Sequence, residues 1–162
     1  MTRKNSPEDL ARAKSIKQRK HARDKVLQAL YQWQLSGEDL DWIRDFYLQE
    51  QGVAAGDQDY FLELLYKIPS SVEELDSRYK KYITQFEEHV DPIETNILRI
   101  ATYEFAQHLE IPYKVVINEA VELAKIFGAT EGHRYVNGVL DRMARQVREV
   151  EWGIRAKGGP GR

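Results

Sequence analysis

Apolar residues in this chain recur at three- and four-residue spacing, stretch after stretch, and each stretch is closed by glycine, proline or serine. That period belongs to amphipathic helices, and no segment shows the alternation of a half-buried strand. Val26, Leu27, Leu30, Tyr31 and Trp33 predict a helix over about 17–36, stopped by Gly37. Trp42, Ile43, Phe46 and Tyr47 predict inward positions of a second, over 39–51. Phe61, Leu64 and Leu65 mark a third, opened by Asp57 as N-cap and ended near Pro69. Val72, Leu75, Tyr79, Tyr82 and Ile83 mark a fourth, with Ser71 and Glu74 spaced as a capping box. Asp91-Pro92 starts a fifth, in which Ile93, Ile97, Leu98, Ala101 and Phe105 share a face. Val116, Ala120, Leu123 and Phe127 line a sixth, ended by Gly128, and Val136, Val139, Leu140 and Met143 line a seventh over 133–150. The expected fold is all-α, a compact seven-helix bundle.

The 162 residues suffice for an ordinary core without crosslinks, and the chain has no cysteine. No apolar run approaches the roughly 18 residues of a membrane span. The N-terminal stretch lacks the hydrophobic segment of a secretory signal, so a cytoplasmic protein is expected. Phosphate-binding glycine loops, dinucleotide fingerprints and nucleophile elbows are missing from the sequence. His21, His89, His108 and His133 do not pair at i, i+3 or i+4, and Glu73-Glu74 and Glu87-Glu88 are sequence neighbours that point to different helix faces. No enzyme activity, cofactor or metal is expected.

The net charge of −2 hides an asymmetry. Residues 1–25 carry nine Lys/Arg and three acids, and residues 142–162 six and two, whereas 26–141 carry nine Lys/Arg and 21 acids. Two basic ends flank an acidic body, which points either to a polyanion partner or to simple solubility. The expected organisation is a flexible basic arm over 1–17, a helical domain over 18–150 and a disordered, Gly-rich basic tail over 151–162.

Around the start of the first long helix stand Lys17, Arg19, Lys20, Arg23 and Lys25. Like charges at i, i+4 and cations at a helix N-terminus each cost a few tenths of a kcal/mol. Such a cluster suits an external anion, with phosphate the natural candidate; a tolerated basic surface is the alternative.

Four segments carry a family likeness. KHARDKVLQALYQWQLSG (20–37), NILRIATYE (96–104), IPYKVVINEAVELAKIFG (111–128) and HRYVNGVLD (133–141) resemble, in order, the motifs of NusB transcription antitermination proteins. The resemblance implies a seven-helix fold of two subdomains that binds single-stranded boxA RNA, pairs with NusE (also a small-subunit ribosomal protein) and acts in a transcription complex on rRNA operons. By motif match it implies RNA contacts from Arg12, Lys14, Lys17, Arg19, Lys20 and Arg23 in the basic segment. At the last helix it implies contacts from Glu131, Arg134 and Tyr135. Tyr31 and Glu94 match positions facing NusE. The arm differs from the family in its length and its mixed lysines, and Thr95 stands where relatives often have a basic residue.

Independent chemistry agrees, because unpaired RNA is held by aromatic stacking and cations. Tyr135 beside Arg134 and His133 offers both, although it also fits a core position. Gly138 suits a close helix contact, and Asn118 and Asn137 suit buried hydrogen bonds. Two other readings stay open: a protein-only helical adaptor, and an accessory-domain relative of rRNA cytosine methyltransferases.

Overall fold

The computed structural model describes residues 6–84 and 91–158, the side chains of 154–158 excepted. His89, Glu87-Glu88, the first five residues of the expected arm and the last four of the expected tail lie outside the described residues. Among the described residues the protein is all-α. Its helices are α1 (Pro7–Ser36), α2 (Leu40–Gln49), α3 (Gln58–Ser70), α4 (Val72–Lys80), α5 (Pro92–Gln107), α6 (Tyr113–Phe127), α7 (Gly132–Val147) and α8 (Glu149–Gly158), with a 3-10 turn at Ala55–Asp57. The seven expected helices are present, and α8 adds an eighth.

Both ends depart from expectation, for identifiable reasons. The stretch 7–17, expected as a flexible arm, is the first third of α1. Ser6 Oγ accepts from Asp9 N at 3.1 Å, Pro7 occupies the first turn, and Glu8 and Asp9 add negative charge where the helix dipole favours it. At the other end, residues 151–158 of the expected disordered tail belong to α8 (Glu149–Gly158), which is anchored by Arg148 and Glu151. The Arg148 guanidinium, buried, donates to the carbonyls of Glu104, Phe105, His108 and Ile111 at 2.8–3.3 Å, and to Glu151 Oε1 at 2.9 Å. It thereby ties together carbonyls at the end of α5 and in the loop after it, in addition to the helical bond that His108 N donates to Glu104 O at 3.0 Å. Glu151 Oε2 accepts from Tyr113 N at 2.9 Å, serving the start of α6. Trp152 adds a ring contact with Tyr113 at 5.3 Å and lies under the Arg145 guanidinium at 5.0 Å.

The chain divides into two units, residues 1–67 and 68–162. In the first, α1 packs against α2 and the 3-10 turn, and Ala22, Val26, Leu27, Leu30, Ile43, Tyr47, Phe61, Leu64 and Leu65 are buried. Gly37 ends α1 at φ 71°, a left-handed cap whose N–H reaches Trp33 O at 2.9 Å. Trp42, expected inward, is half exposed; a ten-residue helix buries only Ile43 and Tyr47.

In the second unit α5 packs against α4, α6 and α7 and is buried over most of its circumference. Asp91 caps it, accepting from Ile93 N at 2.7 Å and Glu94 N at 3.3 Å. A helix enclosed on all sides must pair its polar groups internally. Arg99 does so with a two-pronged bond to Asp76 at 2.8 and 2.9 Å and a third to Asn96 at 3.1 Å. The buried asparagine is therefore Asn96; Asn118 and Asn137, expected inside, are exposed. Ser71 precedes α4 without the expected side-chain cap.

Candidate nucleic-acid interface

The basic segment lies along α1. Arg12, Lys14, Lys17 and Lys20 are exposed to solvent on it. Helical continuation through residue 7 fixes their spacing at 1.5 Å of rise per residue, so the four cations span about 12 Å of a rigid rod. Arg19 and Arg23 behave differently. Their guanidiniums lie over the Tyr60 ring at 5.2 and 5.8 Å, Arg19 half-buried and Arg23 only 4% exposed. Arg23 was expected to meet RNA, but it sits three, four and seven residues before Val26, Leu27 and Leu30, on the apolar stripe, and so turns inward. His21 Nδ1 stands 3.6 Å from Asp57, which is buried at the 3-10 turn. Tyr31, expected at a partner surface, is half-buried on α1.

In the second unit, Glu131, Arg134 and Tyr135 gather at the start of α7. Glu131 is the residue before the helix and has φ 70°, the single non-glycine residue with positive φ among those described. Its Oε1 pairs with Arg134 Nε at 2.8 Å, and both side chains are exposed. Tyr135 is half-buried in the first turn, near Tyr79. Burial and then the neighbouring Asp76 carboxylate raise the pKa of the buried Tyr79 hydroxyl well above the usual phenol range.

Beneath this turn lies Glu94, expected on a partner surface and in fact fully buried. Like Arg23 it shares its helix's apolar stripe, standing three, four and seven residues before Ile97, Leu98 and Ala101. Its Oε2 accepts from Ala129 N at 3.1 Å. A Cβ on Gly128 would lie 2.9 Å from the same oxygen, and one on Gly132 would collide with it. Two glycines thus let the α6–α7 connection close over a carboxylate. The close approaches at Gly128 and Gly132 were not among the sequence expectations. Tyr60, beneath two arginines, carries no local signal in the sequence.

Fold and surfaces together define an all-α protein of two units whose longest helix presents a run of exposed cations. The family model described as "NusB family" matches residues 20–145. The chain belongs to the NusB family. It is 49% identical over 138 residues to the transcription antitermination protein NusB of Nitrosococcus oceani, covering 85% of this chain and 93% of that one. It is 42% identical over 139 residues to that of Hahella chejuensis, covering 86% and 93%, and 46% identical over 133 residues to that of Pseudoalteromonas atlantica, covering 82% and 95%. The solved structure of T. maritima NusB superposes with a TM-score of 0.71 at 29% identity, over 83% of this chain and 96% of that one. NusB proteins are transcription factors, not enzymes, which agrees with the reading of the sequence. No described helix is long and apolar enough to cross a membrane.

Proposed function

We propose that this protein is a cytoplasmic transcription antitermination factor that binds single-stranded boxA RNA together with NusE and supports transcription of rRNA operons. The observation that carries the reading is the exposed cationic run of Arg12, Lys14, Lys17 and Lys20 in a chain of this family. Phosphates bind such a run by charge and counterion release. Arg19 extends it, and Arg23 supports it from below. Tyr135 supplies a stacking face and Arg134 a cation held by Glu131. Tyr31 faces NusE, while Glu94 contributes by shaping the turn above it.

Titration of a fluorescent boxA oligoribonucleotide, with and without NusE, tests this. The expected result is tighter binding with NusE present and a clear preference over a scrambled strand. Equal affinity for both strands, unchanged by NusE, would contradict it. Tyr135→Ala is expected to weaken boxA binding by about 1–3 kcal/mol, the usual worth of one stacked base.

A further inference from the structure

α2 carries an aromatic pair with no role in the RNA reading. Trp42 and Phe46 stack with centroids 5.4 Å apart and planes 7° from parallel, and Trp42 is 50% exposed. The pair is mounted on the core: Phe46 meets Tyr47 edge-on at 5.4 Å, and Tyr47, buried, meets Phe61 at 5.9 Å. An indole held this way loses little conformational freedom when something docks on it.

Its surroundings carry one sign of charge. Within four residues of Trp42 in the chain stand Glu38, Asp39, Asp41 and Asp45: Asp45 is one helical turn on, Asp41 adjoins Trp42, and Glu38 and Asp39 lead into α2. The lone cation of α2, Arg44, is already committed, donating to Asp45 Oδ1 at 2.8 Å, Asp41 Oδ1 at 3.4 Å and the Tyr66 hydroxyl at 3.1 Å. Asp39 occupies the N-cap position but does not spend its carboxylate on the cap. An exposed indole in a segment rich in carboxylates attracts a guanidinium or ammonium, and it repels phosphate.

We propose that the α2 face around Trp42 docks an arginine- or lysine-bearing segment of a protein partner. A cation of that segment lies over the indole, and its neighbours pair with Glu38 and Asp39. The site is independent of RNA binding.

The indole N–H resonances of the full-length protein report the site directly. There are three tryptophans, and Trp42 is assigned by the peak lost in Trp42→Phe. Titration with hexa-arginine amide is expected to shift the Trp42 peak saturably and leave those of Trp33 and Trp152 in place. Trp42→Ala, and separately the pair Glu38→Gln with Asp39→Asn, should weaken binding about tenfold. The charge-matched exposed pair Glu73→Gln with Glu122→Gln should leave it unchanged. An unmoved Trp42 peak, or equal losses in the two charge pairs, would overturn the proposal. So would a Trp42 shift produced by boxA RNA. Because Trp42→Ala is expected to keep full boxA affinity, failure here is separable from failure of the antitermination reading.

Discussion

Glu94 Oε2 occupies the space that a side chain on Gly132 would need. That one relationship ties the first turn of the buried helix α5 to the first turn of α7, where Arg134 and Tyr135 stand. Gly132→Ala must push the carboxylate aside or reopen the turn, and overpacking of this kind costs about 1–3 kcal/mol. Chemical denaturation should show the loss with an unchanged m-value. The double variant Gly132→Ala with Glu94→Ala should be less destabilised than the two single losses added together.

Arg148 is the second fixed point. Its guanidinium serves four carbonyls around the end of α5 together with Glu151. Removing it takes a charged donor from all four and breaks the pair with Glu151, so Arg148→Ala should cost about 3–5 kcal/mol in thermal or denaturant unfolding. Arg148→Lys should rescue little, because one ammonium cannot reach the positions a planar fork does.

The cations of α1 should separate into two kinds. Arg23→Ala acts on the fold: Tm falls, and RNA affinity drops only as far as folded protein is lost. Arg12→Gln and Lys17→Gln leave Tm unchanged and weaken RNA. A chain in which all three behave alike would refute the division between buried and exposed cations seen along α1.

Tyr79 gives a pH signature. Burial, then Asp76, raises its hydroxyl pKa above the ordinary value of 10.0 in the folded state. The folded protein therefore resists ionising it, while the unfolded chain does not. The stabilisation is complete below pH 10 and is lost as pH rises beyond it. Unfolding measured between pH 9 and 11 should show a falling stability that Tyr79→Phe makes shallower.

How far the sequence led can be seen in single residues. The helices from Val26 to Met143 followed from apolar spacing, since nothing but burial of that stripe holds short helices together. The same stripe contained Arg23 and Glu94. The family resemblance implies a surface role for both, and their position on the stripe places them inside. Ser6-Pro7-Glu8-Asp9 spelled a helix start, but ten residues with little apolar content after it read as flexible. Local capping outweighed the missing hydrophobic face. α8 was not legible, because its anchor joins Arg148 to carbonyls some 40 positions away, and no local pattern encodes such a bond. Tyr60 beneath two arginines is of the same kind.

The salt dependence of boxA binding tests the central claim most directly. Anisotropy titrations from low to moderate salt would compare the native protein with the fourfold variant Arg12→Gln, Lys14→Gln, Lys17→Gln and Lys20→Gln, and with Tyr135→Ala. Single-stranded RNA releases about 0.7 counterion per contact, so the fourfold variant should lower the slope of log affinity against log salt by about 3. Tyr135→Ala should weaken binding at every salt with the slope intact. A native slope near zero, or one that survives loss of all four cations, would contradict the account.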